Sequence, residues 1–142
     1  MMPGHFIGEF RDEVHAEILL AGDKDLTPVF KSLGERQRVF ALDLVNPGAG
    51  VIIYRAIGED EFELDYIYTE ARYRGQGLGG KTLKSWLELQ VVGSTVHLEV
   101  HSANMPAIEL YKAVGFIESG RRQGHYSDGG EAVCFSRHIN EA

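Results

Sequence analysis

The chain is 142 residues long, with 44% hydrophobic and 25% charged residues, ordinary values for a single globular domain spanning 1–142. Its formal net charge of −7 keeps it soluble and argues against nucleic acid, and with no long apolar run a membrane span is not expected either. Met1-Met2-Pro3-Gly4-His5 lacks the basic and apolar segments of a signal peptide and the lone Cys134 excludes an internal disulfide, so the expected compartment is the cytoplasm.

In chain order, the pattern predicts a strand over 5–10 and a helix over 12–21, with Val14, Ile18 and Leu19 on one side. Asp25 caps a second helix running to residue 33, with Pro28 in its first turn and Gly34 as its stop. A strand over 38–45, the turn Asn46-Pro47-Gly48-Ala49-Gly50, and a strand over 51–57 come next. The acidic turn Gly58-Glu59-Asp60-Glu61 leads to a strand over 62–69, completing a meander. A glycine string, Arg74-Gly75-Gln76-Gly77-Leu78-Gly79-Gly80, launches a helix to residue 92 that Gly93 closes. Residues 95–100 form a strand, and Asn104 caps a helix ending before Gly115. Strands over 116–119 and 132–138 read as a closing hairpin. The fold class is α+β: a mixed, mostly antiparallel sheet with helices on both faces.

The glycine string is the most informative feature. A glycine-rich turn that opens a helix presents unpaired N–H groups, and the helix dipole favours negative charge there. Three phosphate motifs fit the letters. Gly75 to Gly80 followed by Lys81-Thr82 matches a P-loop formally, and Gly75, Gly77 and Gly80 match the dinucleotide fingerprint. Arg74, Gly77 and Gly79 match Arg/Gln-x-x-Gly-x-Gly. The first two motifs sit directly after a buried parallel strand. Here the polar run Glu70-Ala71-Arg72-Tyr73-Arg74 intervenes, and the preceding strand alternates as in an antiparallel sheet.

The third pattern, together with three later blocks, resembles the GNAT superfamily of N-acetyltransferases. The resemblance is carried by Tyr73-Arg74-Gly75-Gln76-Gly77-Leu78-Gly79, by Leu98-Glu99-Val100-His101-Ser102-Ala103-Asn104, by Ala107-Ile108-Glu109-Leu110-Tyr111, and by Val114-Gly115-Phe116. The tail Gly120-Arg121-Arg122-Gln123-Gly124-His125-Tyr126, with Asp128-Gly129 and Ala132, is similar to the branch that acetylates ribosomal-protein alanine N-termini. The resemblance covers roughly residues 40–138. It implies a GNAT-type sheet splayed at an acetyl-CoA site, with no metal. It also implies that Ile67, Tyr68 and Thr69 pair through their backbones with the pantetheine arm, and that the N–H near Tyr68 polarises the thioester carbonyl. Arg74, Gly75, Gln76, Gly77, Leu78, Gly79 and Gly80 would hold the diphosphate, and Asn104 would bind the CoA arm or serve as a plain N-cap. Gly80 stands where relatives often carry a cation.

Amide formation from a thioester needs a deprotonated amine, a polarised carbonyl and a proton for the leaving thiolate. The strand Val96-His97-Leu98-Glu99-Val100-His101 alternates, which puts Glu99 on one face with His97 and His101. By resemblance Glu99 is the general base, acting directly or through water, and Tyr111 is the acid. The expected function is acetyl transfer from acetyl-CoA to a primary amine, a protein N-terminus first, in a monomer or homodimer. A small-molecule amine acceptor and a non-catalytic acetyl-CoA-binding module are the alternatives. His97, Glu99 and His101 at i, i+2, i+4 also suit a metal, but nothing supplies a fourth ligand. Cys134 reads as a buried thiol rather than a nucleophile, and His125 as a surface loop residue at the acceptor mouth.

Overall fold

The computed structural model describes residues 31–43 and 46–140. The strand expected over 5–10, the helix over 12–21, most of the helix over 25–33 and the last two residues of the strand over 38–45 lie outside them. Six strands are described: β1 Arg38–Ala41, β2 Val51–Gly58, β3 Glu61–Tyr68, β4 Thr95–His101, β5 Ile117–Arg122 and β6 Ala132–His138. Two α-helices accompany them, α1 Leu78–Glu88 and α2 Met105–Ala113. The strand order is β1-β2-β3-β4-β6-β5. Pairing is antiparallel for β1–β2, β4–β6 and β5–β6 and parallel for β3–β4, which is the mixed, mostly antiparallel sheet expected. By packing, the described chain forms two compact units: residues up to Arg55 together with Tyr66–Leu89, and Ala56–Asp65 together with residues from Gln90 onward.

In the first unit, β1 stops at Ala41. The side chain of Asp43 accepts from the N–H of Asn46 at 3.4 Å, and Pro47, which has no N–H, opens a 3₁₀ turn over Pro47–Ala49. Val39, Ala41, Val51, Ile53 and Tyr68 form one apolar cluster. Helix α1 buries Leu78, Thr82, Leu83, Trp86 and Leu87, a single stripe at helical spacing. Trp86 is fully buried with its ring 5.1 Å from that of Tyr54, and truncating such a residue costs about 3–5 kcal/mol. Gly50 lies against the hydroxyl of Thr82, which itself donates to the Leu78 carbonyl at 2.6 Å. A methyl at residue 50 would meet that buried, hydrogen-bonded side chain, so glycine here seats the start of α1.

Helix α1 ends at Glu88, four residues before the expected stop. Its predicted extension contains the β-branched pair Val91-Val92, both well exposed, so no buried face sustains another turn. Gly93 does adopt positive φ, but as a turn whose N–H donates to Ile139 O at 2.8 Å rather than as the helix cap.

In the second unit, β3 pairs with β4 from Glu61↔Thr95 to Glu63↔His97, and β4 pairs with β6 along its whole length. The β4 alternation is as expected: Val96, Leu98 and Val100 are buried and the residues between them are not. Strand β5 extends past the predicted residue 119 to Arg122, because a bulge at Ser119 restores its pairing with β6. Asn104 caps α2, its Oδ1 accepting from Ala107 N–H at 3.3 Å. Gly115, at φ +95, ends the helix.

Candidate active site

In the first unit, the chain leaves β3 at Tyr68 and reaches α1 through a braced loop. Glu70 is buried, donates its N–H to Gly48 O at 2.8 Å and accepts from Arg72 Nε at 3.1 Å. Arg74 donates from Nε to the Thr69 carbonyl at 2.9 Å and lays its guanidinium 5.3 Å from the Tyr68 ring centre. Arg74 thus ties the base of the loop, a role beyond the expected cofactor contact.

Gly75 and Gly77 both have positive φ, +79 and +72, a region costly for residues with a Cβ. Neither has a neighbour that a Cβ would strike, so the backbone conformation, not crowding, is what calls for glycine. Gly77 is the N-cap of α1; no side chain caps the helix and no acidic residue stands in its first turn. The N–H groups of Leu78, Gly79 and Gly80 therefore form an uncapped helix start, and Gln76 is exposed beside it. Thr82 is fully buried with its hydroxyl against Gly50, so it is not presented at the helix start to ligate magnesium as a P-loop threonine is.

In the second unit, Glu99 stands opposite Cys134 in the β4–β6 register. Its side chain is 21% exposed, with Oε1 3.2 Å from Arg122 Nε and Oε2 3.1 Å from His125 Nε2. It shares a cleft of about 230 Å³ with Glu63, His97, Ser119, Arg122 and Cys134. His125 lies on the candidate base itself rather than merely at the mouth. Sequence reasoning does not assign Arg122 or a base-contacting His125 to the site; their only signal is their place in the tail motif.

His97, Glu99 and His101 do not converge as metal ligands would. His97 bonds Ser136 Oγ at 2.8 Å and Glu61 Oε1 at 3.1 Å. His101 accepts from Ala103 N–H at Nδ1 and therefore donates from Nε2 to Asp128 at 2.9 Å. Asp128 is held below the usual carboxylate range by the Gly130 N–H and then by His101. Burial, then the charge of Glu99, pushes the Cys134 thiol up, which opposes a thiolate nucleophile.

Tyr111 is 5% exposed on α2, its ring edge-on to Phe116 at 5.7 Å. Burial pushes its phenol up to about 12, with Tyr126 adding to the effect. Tyr126 stacks on His101 at 4.8 Å and meets the His125 ring edge-on at 5.0 Å. Burial and then the charge of Glu99 raise its phenol too. Tyr126 thus lies within electrostatic range of both Glu99 and Tyr111, a link that sequence reasoning misses.

A mixed sheet, a glycine-opened helix start and a strand carboxylate in a cleft define the class, and the sequence agrees. The chain belongs to the acetyltransferase (GNAT) family, whose pattern it matches over residues 23–116. It is 36% identical over 102 residues to the ribosomal protein bS18-alanine N-acetyltransferase of Escherichia coli, covering 69% of this chain and 68% of that one. It is also 36% identical over 78 residues to the N-alpha-acetyltransferase RimI of Mycobacterium tuberculosis, covering 54% of this chain and 49% of that relative, about half its length. A crystal structure of the ribosomal-protein-alanine N-acetyltransferase from Escherichia coli superposes with TM-score 0.73 at 29% identity, over 99% of this chain and 96% of that one. No described helix is long and apolar enough to cross a membrane.

Proposed function

We propose that this chain transfers an acetyl group from acetyl-CoA to a protein N-terminal amine by direct attack. The observation that carries the cofactor half is the uncapped start of α1, where Gly75 and Gly77 adopt a turn that leaves three consecutive N–H groups for a diphosphate. The register of β3 on β4 covers three residue pairs, and the main chain at Ile67, Tyr68 and Thr69 beyond it would take the pantetheine arm. The lone Cys134 suits a reducing compartment such as the cytoplasm.

Glu99 takes the proton from the acceptor ammonium, directly or through one water. The amine nitrogen then forms a bond to the thioester carbon, and the carbon–sulfur bond breaks. Tyr111 donates to the departing sulfur. With its phenol near 12 it stays protonated at any working pH, so it is always able to donate. The charge on sulfur is met first by a hydrogen bond and then by a proton. Asn104, already engaged as the cap of α2, keeps its amide NH₂ for the CoA arm.

A protein N-terminus is preferred over a small amine because the Escherichia coli relative is named for N-acetylating an alanine of a ribosomal protein and the Mycobacterium tuberculosis relative for acetylating an α-amine. The expected result of a thiol-release screen with acetyl-CoA is faster turnover on peptides beginning with Ala or Ser than on lysine side chains, polyamines or aminoglycosides. Faster turnover on a small amine would move the acceptor assignment, and tight acetyl-CoA binding with no thiol release on any amine would make the chain a binding module.

A further inference from the structure

We infer that Glu70 is a positioning residue for the coenzyme: its buried carboxylate fixes the Gly75–Gly77 turn in the conformation that takes the diphosphate. The inference rests on the proposed acetyl-CoA reading and adds what holds that turn before the coenzyme arrives. Its starting point is the pattern of burial along the loop. Between Tyr68 and Leu78 only Glu70 is buried; Ala71, Arg72 and residues 74–77 are exposed, and Thr69 and Tyr73 are half-buried. Apart from Tyr73, nothing apolar in the loop offsets the entropy of ordering it.

The carboxylate sits on a buried platform, Pro47-Gly48-Ala49-Gly50. Glu70 donates its N–H to Gly48 O at 2.8 Å, and its side chain occupies the place that a Cβ at residue 48 would take. Gly48 is not among the glycines with positive φ, so its backbone tolerates a side chain, and room for Glu70 is what calls for glycine. Two residues on, Gly50 lies against Thr82 of α1, and Ala49 packs with Leu42 and Leu78, where Tyr73 joins them. The entry of the loop and the first turns of α1 therefore rest on the same four residues, and the Gly75–Gly77 turn spans the gap.

A carboxylate does here what an apolar side chain would not. Oε2 accepts from Arg72 Nε at 3.1 Å, and the Glu70 carbonyl accepts from Tyr73 N–H at 2.9 Å. The 3₁₀ turn Ala71–Tyr73 is thereby clamped through main chain and side chain together, and the chain passes from it through Arg74 directly into Gly75. Arg72 lays its guanidinium 4.7 Å from the Tyr73 ring centre and neutralises the buried carboxylate, so the pair brings no net charge toward the diphosphate.

Charge and position have opposite signs here. Removing the carboxylate leaves the Arg72 cation unpaired, three residues before Gly75, which by charge alone strengthens the hold on an anion. Loosening the turn weakens that hold, because the amides must then be ordered as the coenzyme binds. Glu70 acts through the turn and does not touch the coenzyme.

The test uses the whole chain with an Ala-initial peptide and two acetyl donors, acetyl-CoA and S-acetylpantetheine, which lacks the diphosphate. The readout is the ratio of their kcat/KM values. E70A should lower that ratio on the order of 10-fold, through the KM for acetyl-CoA. E70Q fills the same space and still accepts from Arg72, so its ratio should stay within a factor of about two of the wild type. G48A keeps Glu70 but puts a methyl where the carboxylate lies; it should reproduce the E70A loss, and adding it to E70A should cost nothing further. Should E70A not fold, G48A carries the test. A ratio that rises in E70A, one unchanged in E70A and G48A, an E70Q loss matching that of E70A, or an equal loss on both donors would overturn the role of Glu70 while leaving acetyl transfer standing. A wild type with no preference for acetyl-CoA would overturn the diphosphate grip and this inference with it. Absence of thiol release from either donor would instead remove the acetyl-transfer reading itself.

Discussion

Replacing Tyr111 by Phe should lower kcat on the order of 100-fold or more, with the Kd for acetyl-CoA held within a factor of about two. The substitution removes one oxygen and leaves the ring between Phe116 and Phe135, so the packing of α2 is preserved. On the proposed mechanism, what is lost is the group that meets charge on the departing sulfur. The sign with pH is fixed by burial: a phenol pushed up to about 12 stays protonated through the neutral range, so the wild type should show no loss of activity near pH 10 that is due to Tyr111. Single-turnover thiol release at saturating acetyl-CoA checks the rate, and calorimetric titration checks the affinity. Equal rates for the two proteins would take Tyr111 out of the reaction.

Glu99→Gln is expected to be the more damaging change, lowering kcat/KM by roughly 10²–10⁴-fold. Gln matches the shape of Glu and still offers an oxygen to Arg122 and an amide to His125, but it cannot accept the amine's proton. The loss should be smaller at high pH, where the acceptor amine is deprotonated in solution and needs no base. Comparing kcat/KM at about pH 7 and about pH 9 for both proteins, either side of the ordinary α-amino pKa, measures this. A pH-independent deficit would point to lost substrate binding instead of lost base catalysis. A thermal melt separates either from misfolding, since one charge of the Arg122–Glu99–His125 cluster is removed.

What could be read in the sequence was local. The β4 alternation, the Asn104 cap, the glycine turn before α1 and the stop at Gly115 each depend on a few neighbouring residues, and the structure carries all four. Where a local sign is weighed without its packing, it overshoots: Gly93 has the look of a helix end, yet the helix has already stopped at Glu88. The surroundings of Glu99 were not legible. They depend on the register Glu99↔Cys134, on the bulge at Ser119 that carries Arg122 into place, and on a loop with no periodic signal that returns His125 to β4. The contacts of Glu99 with Cys134, Arg122 and His125 join residues more than twenty positions apart, and residue type alone does not specify them. Glu99 and Tyr111 lie in the same compact unit, and Tyr126, unremarkable in sequence, lies within electrostatic range of both.

The most direct measurement is a crystal structure of the chain with CoA at saturating concentration. The expected density has the diphosphate within hydrogen-bonding distance of the main-chain N–H groups of Leu78, Gly79 and Gly80, at the turn formed by Gly75 and Gly77. A diphosphate bound at another place, with those amides facing only solvent, would contradict the assignment of this turn as the coenzyme's grip.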